Sequence, residues 1–297
     1  MRIGLLGIGR MGLPILRALV AAGHDVVAFD PDPLRRTAAV AAGATEAESG
    51  REAAASAEVL VTVLPGPREL EAAMLEERAL AALAPGTLWI DLTSNDPRVA
   101  DRLADAAAHA QVDTVAAALA GGVAAAEDRT LGFFVGASDA ALARARPVLE
   151  AVGDPLRIEH VGQAPAAGNA AKLLVNLLWF GQAAAVTEAL LLGRSLGLDP
   201  ATLRGVLGRS AAGSAFLDEY GDALLAGDVL PTFGIDRVVE ELDTLAALAA
   251  EASSPFELSS VVARLHREAL ERFGPVDGEL LVTALLERES GRNLREP

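Results

Sequence analysis

One lysine stands in the whole chain, Lys172; the other 24 of the 25 basic residues are arginines. A composition that uses arginine wherever a positive charge will serve leaves that lysine needing a reason. It lies in an apolar run from Ala170 to Phe180, where a charge is costly unless something uses it. The chemical difference between the two side chains is the proton. A guanidinium hardly deprotonates, whereas an ammonium can be brought toward neutral pH by burial and a neighbouring cation. Lys172 is therefore the candidate general acid and base. Asn176 follows one helical turn later, on the same face, and can hold a substrate hydroxyl or the ammonium itself. The rival reading is a lysine snorkelling to the surface from a buried helix; it leaves the shared polar face unexplained.

The second constellation is Gly7-Ile8-Gly9-Arg10-Met11-Gly12, a G-x-G-x-x-G run between an apolar strand and a helical stretch. The order has a physical basis. The first glycine makes a tight turn, the second lets a pyrophosphate approach the backbone, and the third lets helix and strand pack closely. The phosphates then meet the unpaired N–H groups at the helix N-terminus. Asp30 ends the second strand at the distance expected of an acid that binds the adenosine ribose hydroxyls. A carboxylate there favours NAD and makes NADP the less favoured cofactor, because it repels a 2′-phosphate. Arg35 and Arg36 are read as a solvated helix start rather than a phosphate clamp. Alone, these glycines would only make a turn; with strand, helix and acid together they indicate a dinucleotide site.

Other chemistry finds little support. His24, His109, His160 and His266 are scattered, with no pair at metal-ligand spacing on one helix, so no metal site is expected. With no cysteine there is no disulfide, thiolate ligand or thiol nucleophile. Gly-x-Ser-x-Gly and P-loop motifs are missing. The pairs Glu76-Glu77 and Glu240-Glu241 read as solvated helix faces, and Trp179 and Phe180 as core packing.

The elements that position these residues fall into two classes. Up to about residue 162, apolar runs at 2–6, 25–29, 59–64, 88–92, 112–115 and 131–135 alternate with helical stretches, the pattern of a parallel sheet covered on both faces. Beyond that the strands stop. A long helix from Gly168 to Leu196 is closed by Gly197, and Asp199-Pro200 caps the next. The fold expected is an α/β Rossmann domain, doubly wound and mainly parallel, over 1–162. An all-α C-terminal domain, beginning with the long interdomain helix, follows over 163–297.

A formal charge of -16 argues against nucleic acid and against an anionic membrane as partners. The stretch from Leu173 to Leu192 has the length of a membrane span, but Asn176, Gln182, Thr187 and Glu188 interrupt it, so it reads as a buried helix of a soluble, cytoplasmic protein.

These motifs together resemble the β-hydroxyacid dehydrogenase family, of the 3-hydroxyisobutyrate and 6-phosphogluconate dehydrogenase kind, over nearly the whole chain. Met11 matches the family's G-x-G-x-M-G opening. Leu64-Pro65 matches its Leu-Pro; its Asp-x-Ser-Thr-x-x-Pro segment appears as Asp91-Leu92-Thr93-Ser94-Asn95-Asp96-Pro97, and its lysine motif as Gly168 to Lys172 with Asn176. The resemblance implies an NAD(P)-dependent oxidoreductase working on a small hydroxy acid, semialdehyde or related carbonyl compound. It implies that Leu64, Pro65 and Ser94 line the cofactor. It also implies a homodimer or homotetramer built through the helical domain.

Three departures bear on the substrate. Where the family has Asp-x-Pro-Val-Ser-Gly-Gly, this chain has Ala116-Ala117-Ala118-Leu119-Ala120-Gly121-Gly122. Gly121 and Gly122 keep their backbone N–H groups for a substrate carboxylate, but the serine hydroxyl is lost at Ala120. The family's Lys-Asp after a phenylalanine becomes Glu240-Glu241, counted from Phe233, which reverses a charge. The loop around Ala164–Ala167 is one residue longer. The rivals are a non-catalytic NAD-binding sensor or assembly protein, and an imine-reductase-like relative; keeping Lys172 and Asn176 counts against both.

Overall fold

A computed structural model describes residues 1–295. They form two compact units, Met1–Lys172 and a second from Leu173 onward. The first unit runs β1 (Arg2–Leu6), α1 (Gly12–Ala21), β2 (Asp25–Phe29), α2 (Pro33–Ala41), β3 (Thr45–Glu46), α3 (Gly50–Ala55), β4 (Val59–Thr62) and α4 (Pro67–Glu71). It continues with β5 (Leu88–Asp91), α5 (Pro97–His109), β6 (Asp113–Ala120), α6 (Val123–Glu127), β7 (Leu131–Gly136), α7 (Asp139–Val152), β8 (Gly153–Gly162) and the start of α8 (Pro165–Ser195). The strands make one sheet in the order β3-β2-β1-β4-β5-β6-β7-β8. Every pairing is parallel except β6 with β7. The order reverses at β1, whose neighbours are β2 and β4, and ligands of such sheets bind beyond the strand C-termini at that point.

Two apolar layers enclose the sheet. One includes Ile3, Leu5, Val61, Ile90 and Phe133 with Ile15, Leu16 and Leu149; the other includes Leu6, Leu60 and Trp89 with Leu70, Met74 and Leu103. The doubly wound architecture expected from the alternating pattern is therefore present. Two strands were not expected. β3 is only Thr45–Glu46, and β8 carries Asp154, Arg157, Glu159 and His160. Both are edge strands with one neighbour each, so neither needs the continuous apolar run that marks a buried strand. β6 extends to Ala120, well past the expected 112–115, because the run of alanines, good helix formers, is held between β5 and β7.

The second unit is helical. The rest of α8 is followed by α9 (Pro200–Gly208), α10 (Ala215–Ala226), α11 (Ile235–Glu251), α12 (Glu257–Phe273) and α13 (Leu281–Ser290). α9 begins as its sequence indicates, with the Asp199 carboxylate accepting from the Thr202 N–H at 2.7 Å and Pro200 in the first turn. Phe180, Ala183, Ala184, Leu190 and Leu191 of α8 enter the cores, meeting Phe216, Leu242, Leu265 and Leu286. Leu280, Leu281, Leu285 and Leu286 are also buried, so the stretch 280–286 is interior. Apolar residues left in water in this unit include Leu174, Leu178, Leu192 and Leu196 along one side of α8 and its end, and Leu258 and Val261 on α12.

Candidate active site

The glycine turn lies where the strand order reverses. Gly7 has φ +94°, a conformation that suits glycine, and its N–H donates to Phe29 O at 3.0 Å. A Cβ on Gly7 would collide with the Val63 carbonyl, and one on Gly12 with the Gly7 carbonyl. A Cβ on Gly9 would meet nothing nearer than Arg35 Nη1 at 3.8 Å. Gly7 and Gly12 thus satisfy internal packing, while Gly9 keeps one side of the turn open, ahead of the α1 N-terminus. Ile8 is buried beneath the turn, Met11 is half-buried and Arg10 points outward.

Asp30 is only 2% exposed. Its Oδ2 accepts from the Ile8 N–H at 2.8 Å and its Oδ1 from the Asp32 N–H at 2.9 Å. The acid at the end of β2 therefore staples the glycine turn in addition to any ribose it meets. Arg36 is not the solvated residue that its sequence context indicates. Nη1 donates to Asp30 O and Pro31 O, at 2.8 and 3.1 Å, and Nε pairs with Glu46 at 2.8 Å. Arg35 is half-exposed and pairs with Asp30 and Asp32 at 3.4 and 3.6 Å.

A buried polar chain shapes the neighbouring loops. Trp89 Nε1 donates to Thr62 Oγ1 at 3.0 Å, and Thr62 donates to Asp91 Oδ1 at 2.8 Å. Thr93 N–H donates to the same oxygen at 3.0 Å, and Thr93 Oγ1 accepts from Leu64 N–H at 3.1 Å. Burial pushes the Asp91 carboxyl up to about 6, against the opposing pull of its hydrogen bonds. This chain ties half-buried Leu64 and exposed Pro65, after β4, to half-buried Ser94, after β5. Gly121 and Gly122 are exposed after β6, which runs parallel to β5.

α8 starts hard against the outer strands: a Cβ on Gly168 would lie 2.6 Å from Phe134 O and 2.8 Å from Ala116 O. Lys172 follows, half-buried, with half-buried Asn176 one turn on. Asn176 Nδ2 donates to Glu241 Oε2 of α11 at 2.7 Å. Glu241 is 8% exposed, so the solvated-face reading fails for it. In α11 it shares the inward side with Val238, Leu242 and Leu245. Glu240 is half-buried and pairs with Arg237 at 2.8 Å, which offsets the reversed charge. The helical spacing of Glu241 to the apolar residues of α11 carried the signal for its inward position. Asn169, which the sequence did not single out, is buried with both amide atoms lacking a hydrogen-bond partner among the described residues. The reading of Phe180 as core holds, and Trp179 packs edge-on against Phe180, Phe216 and Tyr220. Glu76 and Glu77 are exposed as expected.

Two family models match this chain. The NAD binding domain of 6-phosphogluconate dehydrogenase covers residues 2–162, and the NAD-binding model of NADP-dependent 3-hydroxyisobutyrate dehydrogenase covers 166–285. The chain belongs to the β-hydroxyacid dehydrogenase family. As a β-hydroxyacid dehydrogenase it is an NAD(P)-dependent oxidoreductase acting on CH–OH groups. It is 32% identical to a 2-(hydroxymethyl)glutarate dehydrogenase of Eubacterium barkeri over 266 residues, 89% of this chain and 87% of that one. It is 38% identical to a 3-hydroxyisobutyrate dehydrogenase of Pseudomonas aeruginosa over 219 residues, 73% of this chain and 72% of that one. The solved 3-hydroxyisobutyrate dehydrogenase of Mycobacterium tuberculosis with L-serine superposes with TM-score 0.88 at 30% identity, covering 96% of this chain and 98% of that one. An imine reductase of Streptomyces aurantiacus shares the fold at TM-score 0.62 and 19% identity. The glycine turn fits the family's NAD cofactor: its open side lies at Gly9, before the α1 amides.

Proposed function

We propose that this dehydrogenase interconverts a small 3-hydroxy acid and its semialdehyde, using NAD in preference to NADP, with Lys172 moving the proton. The observation that supports it best is the buried Glu241 carboxylate holding Asn176 one helical turn from the chain's single lysine. Bound nicotinamide dinucleotide supplies the hydride acceptor or donor. In oxidation, neutral Lys172 accepts the substrate hydroxyl proton; in reduction, its ammonium returns a proton to the oxygen. A carboxylate only accepts hydrogen bonds, so Asn176 must turn Nδ2 toward Glu241. Its Oδ1 is then the atom offered to the substrate hydroxyl or the ammonium. Gly121 and Gly122 offer backbone N–H groups to the substrate carboxylate. Gly7 to Gly12 receive the pyrophosphate, Leu64, Pro65 and Ser94 line the cofactor, and Asp30 disfavours a 2′-phosphate.

The same reading assigns residues 1–162 to the cofactor domain and 163–297 to the helical domain, in a soluble cytoplasmic protein. The exposed leucines at 174, 178, 192 and 196 would be costly in water and are covered in a homodimer or homotetramer. Sedimentation at micromolar concentration checks this, and a stable monomer contradicts it.

The functional test is turnover with NAD+ and NADP+ on 3-hydroxyisobutyrate, L-serine and 2-(hydroxymethyl)glutarate, with the semialdehydes in reverse. Activity on at least one, faster with NAD+, is expected. Tight NAD binding without turnover on any of them would replace the enzyme by a binding protein.

A further inference from the structure

The outer strands carry a row of residues that the lost serine makes informative. Ala120 on β6 pairs with Gly132 on β7, and Phe133 pairs with Ile158 on β8, which sets Arg157 beside Gly132. A Cβ on Gly132 would lie 3.2 Å from Arg157 Nε, and 3.4 Å from both Ala120 Cβ and Arg157 Cβ. The arginine therefore lies over Gly132, with Ala120 bordering the same empty Cβ position, in a trough that exists because Gly132 has no side chain. Its Nη1 donates to Thr130 O at 3.0 Å. The next residue, Leu131, packs at Gly121, where a Cβ would lie 3.5 Å from Leu131 Cδ2. The guanidinium is thus held at the strand ends that also carry the Gly121-Gly122 turn.

This is also the face that seats the lysine helix. A Cβ on Gly136 would strike the backbone of Ala164, Pro165 and Gly168, and Gly132 has the same parity on β7. Many arginines of this acidic chain are tied to carboxylates, Arg2, Arg36, Arg102 and Arg144 among them. Arg157 is exposed and forms no ion pair among the described residues, not even with Glu159 on its own strand.

We propose that Arg157 is a substrate-specificity residue, binding with the Gly121 and Gly122 amides the carboxylate of an anionic hydroxy acid, in place of the hydroxyl missing at Ala120. A planar guanidinium fork matches a carboxylate and replaces one neutral hydrogen bond by charge-assisted ones. The inference rests on the proposed site for where the substrate lies, and it retains a carboxylate-bearing substrate despite the altered segment.

The test uses NAD+-bound protein and two probes, 3-hydroxyisobutyrate and its methyl ester, with calorimetry for binding and steady-state kinetics for turnover. Arg157→Gln should weaken the acid's Kd, and its KM, about tenfold or more, with kcat within about twofold. Arg157→Lys should restore part of the loss. The ester's binding and the Kd for NAD+ should not change. An unaltered acid Kd in Arg157→Gln, an equal loss for acid and ester, or wild-type protein that binds no acid each overturns the proposal. Binding that weakens as described, in a wild-type protein without turnover, upholds Arg157 and removes only the catalytic reading.

Discussion

Asn176 Nδ2 lies 2.7 Å from Glu241 Oε2, joining the lysine helix to α11 across 65 residues of sequence. A hydrogen bond to a buried charge contributes about 1.5–3 kcal/mol, and here it sets which atom the amide presents. Glu241→Gln allows the amide to turn over, so kcat should fall roughly 10- to 100-fold while the Kd for NAD+ stays unchanged. Glu241→Asp should recover part of the activity. A mainly structural role would instead lower thermal stability in Glu241→Gln and leave kcat and the pH profile intact.

Lys172→Ala should lower kcat by about 10²–10⁴-fold with little effect on NAD+ binding. Lys172→Arg should be nearly as damaging, since it keeps the charge and loses the usable proton equilibrium. The oxidation pH profile should show one group that must be deprotonated, absent from both variants. Near wild-type turnover in Lys172→Arg would rule out proton transfer by this residue.

Gly9 and Gly12 of the turn should separate by assay. Gly12→Ala places its Cβ against the Gly7 carbonyl and should lower Tm. Gly9→Ala meets nothing within 3.8 Å, so it should leave Tm unchanged and weaken NAD+ binding alone. Asp30→Ala should narrow the difference between NAD+ and NADP+, and should also weaken both, because it releases the Ile8 and Asp32 amides. Titration of each variant with both cofactors and a melting curve distinguish these outcomes.

His266 supplies a pH test of the helical unit. Its Nδ1–H donates to Val262 O at 2.9 Å, and burial lowers its pKa from 6.5 to about 4. A histidine whose folded pKa lies below its unfolded one contributes stability above the unfolded value and loses it as pH falls toward the folded value. The expected loss between pH 7 and pH 4 is on the order of 3 kcal/mol, and it should vanish in His266→Leu. Asp91 acts in the opposite sense: its pKa is raised from 3.8 to about 6, so its contribution is present below the lower value and lost as pH rises through the upper. Denaturant curves of wild type, His266→Leu and Asp91→Asn over this range separate the two. An acid limb unchanged in His266→Leu would contradict the assignment.

What the sequence determined by itself was short in range. The Gly7 to Gly12 turn, the Asp199-Pro200 helix start and the alternation of the first half each depend on dihedral preferences and periodicities within a few residues. The singular lysine was legible from composition alone. Tertiary structure decided the rest. Glu241 looked like half of a solvated acidic pair until α11 turned it inward onto Asn176. The alanines of β6 became a strand only because β5 and β7 flank them. The stretch 280–286 is buried by α8 and its neighbours, and Arg157 can lie over Gly132 only because that residue has no side chain. In each case the partner is distant along the chain, and packing rather than local preference chooses it.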